Sequence, residues 1–275
     1  MIEVIGQMFT YSFIIRALIA GGLVALCASM LGVCLVLKRY AMIGDGLSHV
    51  GFGALAVATA MNWAPLEVTI PVVVAAAFLL LRVSDNSKIR GDSAIAMIST
   101  GALAVGIIIA SKSTGMNTDI YSYLFGSILA MSRSDIVLSI VISVAVLGLF
   151  ICFYNRIFAV TFDENFAKAT GTDSGIYNML IAFLTAMTVV LGMRMMGALL
   201  ISSMIIFPAL TAMRLCKSFK SVMICSAVVS VVCVFIGVFV SFVYSTPTGA
   251  SIVAINIVLF LIFSVVKFIK TLGIF

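Results

Sequence analysis

What this sequence has little of decides its class. Charged residues make up 9% of the 275, where a soluble domain carries about 25%. Too few polar side chains exist to cover a water-facing surface, so a soluble globular enzyme is excluded. Hydrophobic residues reach 63% and mean hydropathy is +1.30, which excludes a disordered chain as well. The six cysteines form no C-x-x-C pair and all lie in or beside apolar stretches. They read as small hydrophobes rather than redox or metal groups. No G-x-x-x-x-G-K-[ST] phosphate loop is present, so any ATP hydrolysis linked to this chain belongs to another polypeptide. There is one histidine. What remains is an all-α, polytopic helical membrane protein.

Apolar windows predict nine helices, over 12–37, 41–61, 66–82, 93–111, 134–154, 174–193, 195–214, 220–244 and 249–269. Spans of roughly 20 residues would take about 180 of the chain, leaving little for a second domain. Eight spans result if one segment is re-entrant. The longest connection, 112–133, holds Tyr121–Leu129, too short to cross and therefore interfacial or re-entrant. The first apolar run is long and begins beside Glu3, so it reads as a retained helix rather than a cleaved signal. No fixed-period repeat or low-complexity linker divides the chain. Residues 1–275 read as a single transmembrane domain.

The net charge of +6 could point to nucleic acid in a soluble protein; here it sets orientation. Twelve of the sixteen basic residues fall in alternate connections or after the last helix, Lys38, Arg39, Arg82 and Lys168 among them. Only Arg16, Lys112, Arg133 and Arg194 fall on the other side. The side with twelve is predicted to be cytosolic. The N-terminus is then outside and the C-terminus inside.

Ionisable groups within a span mark functional candidates. Asp45 and His49 lie in the second helix, inside "MIGDGLSHVGFGALAV". At a spacing of four they share a face, about 6 Å apart along the axis. His49 is about 15 Å beyond Arg39, near the middle of a core about 30 Å thick. Carboxylate and neutral imidazole are ligands for zinc, manganese or iron(II). Two copies of the helix across a twofold axis would supply four ligands. A polar pair that hydrogen-bonds helices together fits the same spacing.

The connection before the sixth helix carries Asp163-Glu164-Asn165-Phe166-Ala167-Lys168-Ala169-Thr170-Gly171. Acids at the start, a later lysine and a final glycine are helix start and stop signals. They predict a short surface helix within about 162–172, with Phe166 as an anchor.

The runs "VLKRYAMIGDGLSHVGFGALA" (36–56), "YSYLFGSILA" (121–130), "FDENFAKATG" (162–171), "MMGALLISSMIIFPALTA" (195–212) and "STPTGASIV" (245–253) together resemble the permease subunits of metal-type ABC importers. The resemblance covers nearly the whole chain, in order. It implies a type II importer-like permease fold in a bacterial plasma membrane. It implies a second copy of the chain, two cytosolic ATPase subunits that bind ATP, and an extracytoplasmic metal-binding protein. It assigns Asp45 and His49 to the membrane metal site and Asp163 to Gly171 to the helix that docks into the ATPase. The family often has Ala where this chain has Gly46. The 119–129 and 246–253 segments look more like the zinc branch, so zinc is the expected cargo, with manganese or iron(II) as alternatives. No resident cofactor, catalytic residue or nucleic-acid partner is expected.

Other features have plainer readings. The sixteen methionines, with Met193, Met195 and Met196 clustered, are expected to fill gaps between helices rather than line a copper path. Pro208 either kinks the seventh helix or is tolerated there; Pro247 is expected to end the eighth. Asp119 and Asp135 read as solvated charges on the outer side, and Arg194 as a snorkelling residue. An ion-coupled secondary transporter is the competing class, disfavoured because no second acid lies in a helix interior to form a relay. An aspartyl intramembrane protease lacks its second carboxylate for the same reason.

Overall fold

The structure is a computed structural model that describes residues 12–86, 91–112, 124, 126 and 133–271. The described residues are helical, without strands. In chain order the helices are α1 (Ser12–Leu37), α2 (Ala41–Ala60), α3 (Pro65–Asn86), α4 (Gly91–Lys112) and α5 (Arg133–Cys152). Two short helices follow, α6 (Tyr154–Phe162) and α7 (Glu164–Ala169). Then come α8 (Ser174–Met196), α9 (Ala198–Leu215), α10 (Phe219–Tyr244) and α11 (Thr248–Thr271). All nine expected segments are helices among them. Eight are long and apolar enough to cross a membrane, and α9 contributes a shorter apolar stretch, Leu200–Leu215. Of the Tyr121–Leu129 stretch, all but Leu124 and Gly126 lies outside the described residues.

α1, α8 and α9 occupy the centre. α2, α3 and α4 form one flank, with α2 packed most extensively on α4. α10 and α11 form the other flank, and α5 lies against α1 and α8. Most of α1, α2 and α8 is buried; little of α4 and α11 is. Apolar packing alone gives little preference for helix over lipid, so close approach and buried hydroxyls must do more. The Ser230 hydroxyl of α10 donates to the Ala25 carbonyl of α1 at 2.8 Å, and the Ser226 hydroxyl donates to that of Ser29 at 3.3 Å. α2 and α4 meet where Gly53 faces Gly106. A Cβ on Gly53 would lie 2.7 Å from the Ala102 carbonyl oxygen, and one on Gly106 would lie 2.9 Å from Gly53 Cα. Only glycine permits that backbone contact.

α8 turns into α9 through one residue, Gly197, at φ 91°. The corner is buried, with Met193, Met195 and Met196 inaccessible, as expected of methionines that fill gaps. α9 continues through Pro208. α10 ends at Tyr244 on a left-handed Ser245 (φ 52°). The stop is therefore a backbone cap ahead of Pro247, and the proline follows it.

Candidate metal site and docking helix

α2 has a closed back and an open front. Its buried residues include Gly44, Gly46, Leu47, Ser48, Phe52 and Leu55. In its first three turns Met42 is exposed, while Asp45 and His49 are partly so. These three recur at helical spacing and form a stripe that the chain's own helices leave partly uncovered. The His49 side chain is 19% exposed and that of Asp45 35%.

His49 Nε2 and Asp45 Oδ2 are 3.7 Å apart, too far for a hydrogen bond. His49 Nδ1 is buried and has no hydrogen-bond partner. The two donors are therefore side by side and weakly engaged with each other. Metal–ligand bonds of about 2.0–2.2 Å let both face one ion across 3.7 Å. Behind them Ser48 locks the helix. Its hydroxyl lies 2.7 Å from the Asp45 carbonyl, to which it donates, and 3.2 Å from the Ser202 hydroxyl of α9. Among the described residues no three His, Cys, Asp or Glu side chains come together to hold a metal. One chain thus brings two donors to this point. At Gly46 a Cβ would meet Ile95 Cγ2 at 2.9 Å, on the α4 side and away from the open stripe.

The short helix forms where its signals placed it. Asp163 is the N-cap, its carboxylate accepting from the Phe166 amide at 2.9 Å. At the other end Gly171 takes φ 80°. The Thr172 amide bonds the Ala167 carbonyl at 2.9 Å and the Gly171 amide bonds that of Lys168 at 3.0 Å. These two bonds make a Schellman stop. Ala167 is buried, whereas Phe166 is 63% exposed and Phe162 is also exposed. Both aromatic side chains of this knuckle face outward, and the Phe162 ring lies 5.8 Å from that of Phe158.

Glu164 does the opposite and turns inward. Its Oε2 is 3.3 Å from Lys38 Nζ and 3.4 Å from Asn178 Nδ2, and its Oε1 is 3.1 Å from Lys168 Nζ. Partial burial pushes this carboxyl's pKa up. The hydrogen bond from Lys168, the charge of Lys38 and the bonds from Asn178 and Lys38 outweigh that, and hold it at about 2.

Two contacts were not legible in the sequence. Lys38, by its sequence position one of the basic residues that set orientation, has a buried side chain that joins α1's end to α6 and α7. Arg194 and Asp135, each expected to reach solvent alone, pair with each other. Arg194 Nη2 lies 3.0 and 3.1 Å from the two carboxylate oxygens and ties α8 to α5. Both residues sit at helix ends on one side, which is the available hint. Cys27, Cys34 and Cys233 are buried, but Cys152 is exposed.

A bundle of helices, eight of them long and apolar enough to cross a membrane, with a partly exposed acid–imidazole pair on α2, defines a polytopic membrane protein. The ABC 3 transport family matches residues 10–267, and the chain belongs to that family. It is 30% identical over 254 residues to the manganese transport system membrane protein MntC of Halalkalibacterium halodurans, covering 92% of this chain and 87% of that protein. It is 26% identical to the high-affinity zinc uptake system membrane protein ZnuB of Haemophilus influenzae, covering 92% and 97%. A solved chain of PsaBC from Streptococcus pneumoniae, in complex with Fab, superposes with a TM-score of 0.86 at 30% identity, covering 96% and 95%.

Proposed function

We propose that this chain is the membrane-embedded permease of an ATP-driven importer of divalent transition metals, working in a bacterial plasma membrane with its N-terminus outside. The observation that carries the reading is the Asp45–His49 pair, partly uncovered on α2 with one imidazole nitrogen unpartnered. Two chains related by a twofold axis would bring four such donors together. An extracytoplasmic binding protein delivers the ion. Two cytosolic ATPase subunits take up the exposed face of α7 and drive the helices between outward- and inward-open states. Residues 163–171 are the docking segment, and within it Phe166 is the side chain that enters the partner. A donor set this small holds an ion without trapping it.

The donors set the class of cargo and not the ion. Carboxylate and imidazole serve zinc, manganese and iron(II), and no thiolate adjoins them to select a soft ion. Zinc is the ion the sequence reading favours. Relatives named for manganese and for zinc share this chain at 30% and 26% identity, so manganese is tested beside it.

The experiment is competitive uptake of zinc and manganese radiotracers into vesicles holding this chain with its cognate ATPase and binding protein. ATP-dependent uptake of either ion supports the reading, and the better competitor identifies the cargo. Uptake by the chain alone, driven by a proton gradient, would replace it with a secondary transporter.

A further inference from the structure

The surface helix and the candidate metal helix do not touch through a broad interface. A buried lysine in the turn just before the candidate metal helix reaches the surface helix. The Lys38 side chain is 6% exposed. Its ammonium donates to the Val160 carbonyl at 3.0 Å and reaches Glu164 Oε2 at 3.3 Å, and it lies 5.7 Å from the centre of the Tyr40 ring. Val160 is in the last turn of α6, where carbonyls lack intrahelical partners. Glu164 is the first residue of α7. Lys38 therefore holds the knuckle between the two short helices from both sides, neutralising a helix C-terminus and a carboxylate at once.

The turn that carries Lys38 leads straight into α2. The Arg39 amide bonds the Val36 carbonyl at 3.1 Å and the Tyr40 amide bonds that of Leu35 at 2.7 Å, with Arg39 left-handed at φ 62°. Glycine usually occupies that position. An arginine held there keeps the turn tight. α2 begins two residues later, and Asp45 lies in its second turn. On the other side, Glu164 also binds Asn178 of α8. The polar side-chain links from α7 thus run to the turn before α2 through one ammonium and to α8 through one amide, beside the packing of α7 on α8 and of α8 on α2.

We propose that Lys38 is a positioning residue that passes motion of α7 to α2 and its Asp45/His49 pair, with Glu164 as an inward strut rather than a contact to the ATPase. The proposal rests on the permease reading above and gives the 163–171 segment two faces: Phe166 for the partner, Glu164 for the chain's own helices.

The test measures metal ions imported per ATP hydrolysed, for the transporter reconstituted in vesicles with its ATPase and binding protein. The variants are Lys38→Met, Glu164→Gln and the double variant. Lys38→Met keeps the apolar stem and leaves Glu164 its bonds to Lys168 and Asn178. Zinc and manganese tracers are the probes. The expected result is uptake reduced about tenfold while hydrolysis stays within about twofold. The double variant is expected to be no worse than the worse single, because one strut is removed in each. Unchanged ions per ATP in Lys38→Met would overturn the proposal. So would a parallel loss of hydrolysis and of ATPase co-purification, which would make Lys38 a folding residue. If the wild-type assembly itself imports nothing with ATP, the permease reading fails instead, and the two failures are told apart by that control.

Discussion

Two polar clusters in this chain are built in opposite ways. At Asp45 and His49 the groups stand 3.7 Å apart and one ring nitrogen has no partner. At Glu164 three donors converge within 3.4 Å on one carboxylate. A site that must receive and release an ion keeps its donors available. A strut that must carry force satisfies them. Buried polar groups are expensive when unmatched, and the loose pair leaves His49 Nδ1 unmatched where the Glu164 cluster leaves its carboxylate fully engaged. α2 shows the same contrast within one helix, with glycine-tight contact to α4 behind and an open stripe in front.

The largest effect tests the loose pair. Asp45→Ala or His49→Ala is expected to cut initial metal uptake by more than the about 10–100-fold typical of losing an outer-shell partner. Assembly with the ATPase, read by co-purification, is expected to survive, because both side chains lie on α2 and not on α7. Normal uptake by either variant would remove them from the site.

The back of α2 comes next. Gly53→Ala places a methyl against the Ala102 carbonyl oxygen at 2.7 Å and must part α2 from α4. A loss of about 1–3 kcal/mol is expected from overpacking, visible as a lower unfolding temperature in detergent. An unchanged transition would mean that α2 and α4 are not locked there.

The tight cluster is probed by acid. Its carboxyl is held at about 2, below its usual 4.5, so the folded state binds this proton less readily than the unfolded chain. Its contribution is complete above 4.5 and is lost as pH falls through about 2. Hydrogen exchange of the α7 amides is expected to accelerate across that window, and Glu164→Gln to flatten the response. The smallest effect belongs to Gly46→Ala. The added methyl would sit 2.9 Å from Ile95 Cγ2 and 3.4 Å from Leu80 Cδ1, side chains rather than the backbone met at Gly53, so a smaller loss of about 1 kcal/mol is expected. Uptake near wild type would agree with a contact that faces away from the stripe.

Much of the architecture was legible along the chain. Hydropathy windows located each long helix to within a few residues, α3 running past its expected end to Asn86. Asp163 and Gly171 bounded α7 as their cap chemistry required. Asp45 and His49 share a face because four residues nearly complete a helical turn. The rest was not legible, because it joins distant positions. Lys38 and Glu164 are 126 residues apart, and Arg194 and Asp135 are 59 apart. Nothing in the local pattern distinguishes a lysine that marks a membrane face from one that crosses beneath a helix knuckle.

The sequence by itself determined the class, the spans, the sidedness expected of the basic residues and the acid–imidazole spacing. Each of these depends on neighbours within a few turns. Tertiary structure alone decided that the stripe on α2 stays partly uncovered and that Glu164 turns inward. It also decided that a buried lysine links the two regions. Those outcomes depend on which helices pack together, and a one-dimensional pattern does not contain that information.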